Sequence, residues 1–253
     1  MKVTFLGTGT SQGVPLIACE CDVCTSSSDY DKRLRVSILV EIDDKHFVID
    51  TGPDFRYQML RAKVKKLDAI LITHEHKDHV AGLDDVRAFN YHQKKAMDVY
   101  AHERVHATLH RDFHYAFADF KYPGLPLIHL KEISNEPFLI EGVEVIPIEV
   151  MHYRLPVFGF RIKNFTYITD AKTISKVEKE KIKGSKVLVI NALQREPHIS
   201  HFTLDEAIAF AESAGVEKTY ITHISHRMGK YEDVLKELPK GIELAYDGLI
   251  LQI

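Results

Sequence analysis

No apolar run in the sequence approaches the roughly 20 residues that a membrane-spanning helix needs. The sequence also has no large excess of one sign of charge, since 33 Lys and Arg against 36 Asp and Glu give a formal net charge of −3. Bulk electrostatics therefore do not draw the protein to nucleic acid or to an anionic membrane. Residues 1–7 are typical of a strand that runs into a turn, not of a signal peptide. We expect a cytoplasmic protein that does not act on membranes.

Cysteine is scarce, and the three residues present all lie within six positions, at Cys19, Cys21 and Cys24. An odd, clustered set cannot form a disulfide framework, and a reducing compartment keeps such residues as thiols. Histidine is abundant by contrast, since its 15 residues outnumber the 11 tyrosines and the 13 phenylalanines. Metal binding is the first hypothesis to test, with unligated surface thiols as the alternative.

Linker-like sequence is absent as well, because no Pro/Gly/Ser-rich tract divides the 253 residues. A chain of this length forms one large domain or at most two small ones, and we predict a single domain over residues 1–253. The apolar patterns indicate two strand-rich blocks, each followed by helices. Two sheets packed face to face with helices outside give an α/β protein with four layers, an αββα sandwich.

The same patterns predict the individual elements. Strands are predicted over residues 2–6, 36–42, 46–50, 68–73, 98–101, 143–150, 157–162, 165–169, 186–190, 218–222, 242–245 and 249–252. Helices are predicted over residues 54–64, 80–89, 103–117, 175–183, 203–214 and 231–238. Thr203, followed by Glu206 three residues later, indicates a capping box at the start of the fifth helix.

The strongest motif is Thr-His-Glu-His-Lys-Asp-His at residues 73–79, directly after an apolar predicted strand. Alternate residues of an extended segment point the same way, so His74 and His76 can face one ion. The first turn of the following helix then brings Asp78 and His79 to a neighbouring position. Three imidazoles and a carboxylate form a donor set suited to zinc, manganese or iron. A solvated polar loop is the alternative interpretation.

Further residues of ligand type follow three other predicted strands. His152, Asp170 and His223 each lie where an apolar strand ends, which is where α/β sheets commonly place their sites. Any one of them alone could be an ordinary buried polar residue, but with the first motif they complete two coordination sets. The predicted sets are His74, His76 and His152 for one ion, and Asp78, His79 and His223 for the other, with Asp170 bridging both.

The Thr-His-x-His-x-Asp-His loop, with the later histidine, aspartate and histidine, resembles the metallo-β-lactamase superfamily in its hydrolase form. True β-lactamases use a cysteine in the second site, whereas the later candidate here is Asp170, and the di-iron oxygen reductases carry a glutamate where this chain has His76. The tRNA 3′-processing nucleases share the ligand set, but they carry a long Gly/Pro-rich arm that we do not find in this sequence. The resemblance implies the metallo-β-lactamase fold.

Four further motifs narrow the resemblance: the glycine-rich turn at residues 7–15, the cysteine triplet, His-Ile-Ser-His at residues 223–226, and Tyr-Asp-Gly at residues 246–248. They resemble the phosphoribosyl 1,2-cyclic phosphate phosphodiesterase (PhnP-like) family, from the first strand to the last. In that family three cysteines and the second histidine of His-x-x-His bind a structural zinc. The resemblance thus implies a homodimer and a Cys₃His zinc site, formed by Cys19, Cys21, Cys24 and His226.

Two divalent ions, two aspartates and a bridging hydroxide leave the predicted site with a formal charge of about +1, which favours an anionic substrate. Such ions orient a bridging water for in-line attack on phosphorus. We expect a dinuclear phosphodiesterase, dependent on zinc or manganese, that hydrolyses a small phosphodiester, such as a cyclic ribose phosphate, through a metal-bridging hydroxide. The alternatives are an RNA-end nuclease, which the near-neutral charge disfavours, and a non-catalytic metal-binding accessory protein of the same fold.

The leaving oxygen also needs a proton donor, and the best candidate is His201, just before a predicted helix, where the resembling family has a catalytic histidine. The predicted catalytic residues are therefore His201 and Asp78. Asp50, at the end of its strand, is predicted to orient a metal-bound histidine. Arg154 and Arg195 are candidate phosphate contacts, and a surface role is an equal alternative for both.

Two more patterns have no assigned ligand role. His102, His106, His110 and His114 recur every fourth residue along a predicted helix, and each step drifts by about 40° around its axis, so we interpret them as a partly solvated face. Aromatic residues between the ligand motifs are candidates for a wall of the substrate site. They are Tyr91, Phe113, Tyr115, Phe117, Phe120 and Tyr122.

Overall fold

Short strands and helices alternate along the chain, in a computed structural model that describes residues 1–119 and 122–253. The strands are β1 (Lys2–Gly7), β2 (Ser37–Ile42), β3 (Lys45–Ile49), β4 (Ala69–Leu71), β5 (Met97–Ala101), β6 (Ile128–Glu132), β7 (Phe138–Ile140), β8 (Val143–His152), β9 (Leu155–Ile162), β10 (Phe165–Tyr167), β11 (Thr173–Ile174), β12 (Val187–Asn191), β13 (Lys218–Thr222), β14 (Ile242–Leu244) and β15 (Ile250–Gln252). The helices are α1 (Phe55–Arg61), α2 (Lys77–Val80), α3 (Arg87–Gln93), α4 (Glu103–Asp112), α5 (His114–Phe117), α6 (Lys176–Glu180), α7 (Leu204–Ala214) and α8 (Tyr231–Glu237). Over the described ranges, none of these helices has both the length and the apolar character that a bilayer crossing requires.

The strands form two sheets. The first has the order β15-β1-β2-β3-β4-β5-β6, and the second has the order β11-β8-β9-β10-β12-β13-β14, with β7 also paired to β8. In each sheet an antiparallel part, β1 to β3 or β8 to β10, adjoins a parallel part, β3 to β6 or β10 to β14. Helices connect successive parallel strands, as a parallel pairing requires, and they cover the outer face of each sheet.

Three apolar cores hold the layers together. The middle core joins the inward faces of the two sheets, with Phe5 and Phe47 from the first and Phe160 and Val189 from the second, all fully buried. Each of the other two cores packs the outer face of one sheet against its helices. The αββα sandwich predicted from the sequence is therefore confirmed.

The observed elements differ from the predicted ones in length and in continuity. The predicted helix 103–117 is broken into α4 and α5 at Phe113, whose φ of −116° is not helical. The predicted helix 80–89 is divided between α2, a 3₁₀ turn at Leu83–Val86 and α3. The strands β6, β7 and β11 were not predicted, because β6 is an edge strand rich in charged residues and the other two are only three and two residues long.

Helix α7 begins with the capping box that its sequence predicts. The Thr203 hydroxyl accepts from the Glu206 backbone N–H at 3.2 Å, and the Thr203 N–H donates to the Glu206 carboxylate at 2.8 Å. Replacing Thr203 with Ala should therefore lower the free energy of unfolding by about 1 kcal/mol, because one backbone N–H loses its acceptor. Urea denaturation measures the change. Thr203→Ser is the control, since it keeps the hydroxyl, and equal losses in the two variants would contradict the capping role.

Candidate metal centre

The loop between β4 and α2 carries the first predicted ligands. His74 is fully buried, and His76 lies at the N-cap of α2, where its side chain is exposed. Inside the helix, Asp78 and His79 present their side chains together, with 3.1 Å between Asp78 Oδ2 and His79 Nε2. One short segment thus presents three imidazoles and a carboxylate, as its spacing predicts.

Two residues from the second sheet join Asp78 and His79. Asp170, which follows β10, has its Oδ2 atom 3.3 Å from His79 Nε2 and its Oδ1 atom 3.2 Å from His223 Nε2, at the end of β13. The ligand atoms of these four residues all lie within 4.8 Å of one another. Asp170 therefore stands between two histidines, at the position where a bridging residue is expected.

The backbone at the strand ends turns these side chains inward. Asp50, Asp170 and His223 have φ angles of 66°, 57° and 57°, in the left-handed region that residues other than glycine rarely adopt. Each such residue costs on the order of 1 kcal/mol, and such conformations concentrate at functional sites. The packing of the two sheets must therefore keep all three of these neighbouring residues in the left-handed conformation.

The charges in the cluster balance one another. Burial disfavours ionisation of Asp78 and Asp170, but the positive charge of His79 beside Asp78, and those of His223 and His79 beside Asp170, hold the pKa of both carboxyls well below its usual range. Burial likewise opposes charge on His79, yet Asp78 and Asp170 raise its pKa well above the ordinary value. This pocket stabilises positive charge between two carboxylates.

Several buried nitrogen atoms of the cluster have no hydrogen-bond partner within the described residues. They are His79 Nε2, His201 Nδ1 and both ring nitrogens of His223. Buried polar atoms are rarely left unsatisfied, because their desolvation is costly. Imidazole nitrogens together with carboxylate oxygens are the donors that zinc, manganese and iron accept. The residues present therefore fit divalent metal ions.

Asp50 and Thr73 fix the orientation of His79. The Nδ1 atom of His79 donates to Asp50 Oδ2 at 2.7 Å, so its Nε2 atom faces Asp78 and Asp170. Thr73 donates to the same carboxylate from its backbone N–H and its hydroxyl, at 2.8 and 2.9 Å. The structure places Asp50 where its predicted orienting role requires. The role of Thr73 was missed, although the residue directly precedes His74 at the end of an apolar run.

The residues predicted to bind the first ion lie farther apart than those predicted to bind the second. His74 Nε2 and His76 Nδ1 are 3.0 Å apart, whereas their ring centroids lie 5.8 and 5.2 Å from that of His152. His152 donates from Nδ1 to the backbone carbonyl of Ser200 at 2.9 Å, which leaves its Nε2 atom free as a ligand. Among the described residues, His74 and His76 do not join His152 in a group whose ligand atoms all lie within 4.8 Å, so the binding of one ion by these three imidazoles remains a prediction.

His201 lies beside this first set. Its ligand atom is within 4.8 Å of those of His152 and Asp170, and its Nδ1 atom is 3.8 Å from Asp170 Oδ1. Burial lowers the pKa of His201 to about 3, and the charge of His223 adds to the effect. The predicted proton donor therefore borders the metal centre, close enough to be a candidate ligand as well.

A second histidine of the same loop, His198, was not singled out from the sequence. Its ring centroid is 5.2 Å from that of His201, and its Nδ1 atom lies 3.2 Å from the Ser200 hydroxyl. The sequence His-Ile-Ser-His occurs both at residues 198–201 and at residues 223–226, and this repeat could have identified His198 as a candidate.

Cys19, Cys21, Cys24 and His226 form a separate cluster. Their ligand atoms all lie within 4.8 Å of one another, and His226 Nδ1 is 3.3 Å from Cys19 Sγ and 3.4 Å from Cys21 Sγ. The backbone N–H of Cys24 and the side chain of His226 lower the pKa of Cys21 to about 6, so this thiol is ionised at neutral pH. Three sulfurs and one imidazole in this geometry fit a structural zinc ion.

A network of hydrogen bonds holds the glycine-rich turn against residues 33–34 and residues 245–247. Buried Arg33 donates to the Thr8 hydroxyl at 2.8 Å and to the carbonyl of Ala245 at 2.6 Å. Asp247 accepts from the same hydroxyl at 2.8 Å and from the N–H of Leu34 at 2.9 Å. The Tyr-Asp-Gly motif at residues 246–248 therefore has a structural role here.

Neither predicted phosphate contact is part of the metal clusters. Arg195 donates to the carbonyl of Met228 at 3.0 Å and pairs with Glu237 at 2.8 Å, so its charge is neutralised next to α8. This pairing favours the surface alternative for Arg195, and its phosphate contact remains a prediction. Arg154 lies 5.1 Å from the ring centroid of Tyr153, at the exposed turn between β8 and β9, and its phosphate contact remains a prediction.

The histidine stripe provides no cluster of three ligands in the part of the chain that the structure describes. His102 caps α4 by accepting from the N–H of Arg104 at 3.1 Å, and the ring of His110 packs against Phe117, 4.2 Å between centroids. His114 belongs to α5, beyond the break, so the four do not share one helix.

Of the six aromatic residues predicted as a substrate wall, three belong to or pack against the outer core of the first sheet, and the prediction is corrected for Phe113, which is buried there. The three residues are Phe113, Tyr115 and Phe117. Tyr91 and Tyr122 are exposed, and Phe120 lies outside the described residues.

A family model described as a β-lactamase superfamily domain matches residues 45–224, which include all the predicted ligands from His74 to His223. The chain belongs to this superfamily. The expected superfamily membership and fold are confirmed, and at this level so is the expectation of a metal-dependent hydrolase.

Individual members of the superfamily resemble the chain to different extents. It is 40% identical to a protein described as a new diphosphatase from the PhnP family, whose crystal structure matches with a TM-score of 0.93 over 100% of this chain and 97% of that one. It is 41% identical over 252 residues to the octanoyltransferase of Porphyromonas gingivalis, which covers 98% of this chain but 51% of that protein. Ribonuclease Z of an Exiguobacterium strain is 27% identical over 171 residues, 64% of this chain and 48% of that one. The chain thus spans about half the length of these curated relatives.

Replacing Cys21 with Ser should abolish zinc binding at the Cys₃His cluster, because a hydroxyl is a far weaker ligand than a thiolate. Elemental analysis of dialysed protein should show one zinc ion per chain fewer than in the wild type, and the melting temperature should fall. Thr25→Ala is the control in the same loop, since the Thr25 hydroxyl bonds only to the Cys21 carbonyl. Equal zinc contents in wild type and Cys21→Ser would contradict the site.

Proposed function

We propose that the protein is a dinuclear metal-dependent phosphodiesterase that hydrolyses a small phosphodiester. The observation that carries this proposal is the convergence of Asp78, His79, Asp170 and His223 on one point, with buried imidazole nitrogens that lack hydrogen-bond partners within the described chain. His74, His76 and His152 would hold the first ion, and Asp78, His79 and His223 the second, with Asp170 shared between them. The Cys₃His cluster would hold a third, structural zinc.

Two divalent ions supply Lewis-acid polarisation of a phosphoryl oxygen and activation of water. Asp78 and Asp170 offset only part of the charge of such ions, so an anionic substrate is favoured over a neutral one. Asp50 keeps Nε2 of His79 turned inward through the 2.7 Å contact to Nδ1. The Ser200 carbonyl does the same for His152.

The substrate class is supported by the similar protein described as a diphosphatase. A diphosphate and a phosphodiester both present an anionic phosphorus with an oxygen leaving group, so the same donors suit either. A small molecule, such as a cyclic ribose phosphate or a diphosphate, fits better than RNA. The formal net charge of −3 provides no basic surface for a polynucleotide.

His201 is the proposed proton donor for the leaving oxygen. It is 7% exposed, and it lies next to both Asp170 and His152. Its lowered pKa keeps the imidazole neutral at neutral pH, but an anionic phosphoryl group beside it favours the protonated form, because opposite charges attract. Substrate binding and proton donation would therefore be coupled at this residue.

The octanoyltransferase relative is a protein about twice the length of this chain. The positive charge that two divalent ions would bring to the metal centre favours an anionic phosphoryl substrate over a neutral acyl substrate. We therefore do not extend acyl transfer to this chain.

Removal of metal ions should abolish hydrolysis of bis(p-nitrophenyl) phosphate, because the donor set alone does not activate water. Zinc or manganese should restore the rate in the wild type, whereas Asp170→Asn should stay inactive with a folded circular dichroism spectrum. Comparing a cyclic ribose phosphate, a dinucleoside diphosphate and a tRNA precursor then identifies the substrate. Full activity in metal-free protein would refute the proposal.

Replacing His201 with Ala should lower kcat by about 10²- to 10⁴-fold, the usual contribution of a general acid. Metal content should stay at the wild-type value if the residue acts as the proton donor. A p-nitrophenyl ester, whose leaving group needs no proton, should be affected less than an alkyl ester. Loss of one bound ion in His201→Ala would instead identify the residue as a ligand.

A further inference from the structure

Arg104, in the first turn of α4, makes an ion pair with the middle of the metal-binding loop. Its Nε atom donates to Glu75 Oε1 at 2.7 Å. Glu75 lies between His74 and His76, at a bend in the loop between β4 and α2, so its position constrains the backbone that carries both histidines. The ion pair with Arg104 therefore restrains Glu75 and, through the backbone, the direction in which the side chains of His74 and His76 point.

The same guanidinium also contacts the second sheet. Its Nη2 atom donates to the backbone carbonyl of Pro156 at the start of β9. In the β8–β9 pairing, Pro156 is the register partner of Met151, the residue directly before His152. Arg104 therefore spans from the loop that carries two predicted ligands to the hairpin that carries the third.

Two further contacts hold Arg104 in place. Its backbone N–H donates to His102 Nδ1, and the ring of His102 packs edge-on against Phe158, 5.7 Å between centroids. The N–H of Phe158 in turn donates to the carbonyl of Thr73 at 3.1 Å. The start of α4, the start of β9 and the metal-binding loop thus form one connected unit.

We propose that Arg104 is a positioning residue that sets the separation between His74 and His76 on one side and His152 on the other. This inference rests on the proposed function, because it assumes that these three imidazoles bind one ion. A planar guanidinium can donate to the Glu75 carboxylate and the Pro156 carbonyl at once, whereas a lysine ammonium has no such fixed fork. The ion pair is only partly exposed, with 33% of the Arg104 side chain and 17% of that of Glu75 accessible.

The test is a comparison of metal affinity in the whole folded protein. Metal-depleted wild type and Arg104→Ala are titrated with zinc against a chromophoric chelator, and the fold is monitored by circular dichroism. Arg104→Ala should bind one of the two ions of the metal centre about 10- to 100-fold less tightly, the usual effect of losing a residue that orients metal ligands. Arg104→Lys should fall between the two. With saturating metal, kcat should fall while KM changes little.

Arg161 provides the matched control, since it lies at the other end of β9 and also donates to two backbone carbonyls, those of Lys163 and Lys181. Arg161→Ala should keep the wild-type zinc affinity. The double variant Glu75→Gln with Arg104→Ala should be no worse than Arg104→Ala alone, because the pair acts as a unit.

The outcomes separate this inference from the proposed function. Wild-type zinc affinity in Arg104→Ala would overturn the positioning role alone, even if its stability fell. If Arg104→Ala does not fold, Arg104→Lys decides by the same criterion. A wild-type protein that binds no ion outside the Cys₃His cluster would overturn both.

Discussion

Asp78 and Asp170 are buried together where the two sheets meet, and their mutual repulsion must be offset by positive charge. Two carboxylates in one poorly solvated pocket ionise only beside cations. His79 lies in contact with both, and His223 faces them from the second sheet. The orientation of His79 by Asp50 and Thr73 follows from the same requirement, since its Nε2 atom must be kept facing the carboxylates.

This electrostatic arrangement depends on the packing of the sandwich. Asp78 and His79 come from the first sheet, whereas Asp170 and His223 come from the second, so a shift between the sheets would open the cluster. The fully buried middle core that contains Phe47 and Phe160 prevents that shift. The same packing between the sheets therefore stabilises the fold and maintains the geometry of the metal centre.

Local spacing explains which parts of the site the sequence could predict. The ligands in residues 73–79 follow from strand and helix periodicity, and those after other strands follow from the rule that sites gather at strand ends. Contacts between segments that are far apart in the sequence cannot be predicted from such local patterns. The pairing of Arg195 with Glu237, the contact of Arg104 with Glu75, and the burial of Phe113 under the first sheet each depend on how helices settle against strands, which short-range patterns do not encode.

Each of the two metal clusters takes one ligand from the four-residue segment 223–226, since His223 lies with the carboxylates and His226 lies with the thiols. Between them, Ile224 is fastened to the glycine-rich turn by backbone bonds with Thr8 and Thr10. A structural change at the cysteine sulfur atoms can therefore be transmitted through the short segment 223–226 to His223 in the metal centre. Oxidation of the three thiols should therefore disturb the geometry around His223, although the sulfur atoms belong to a separate cluster.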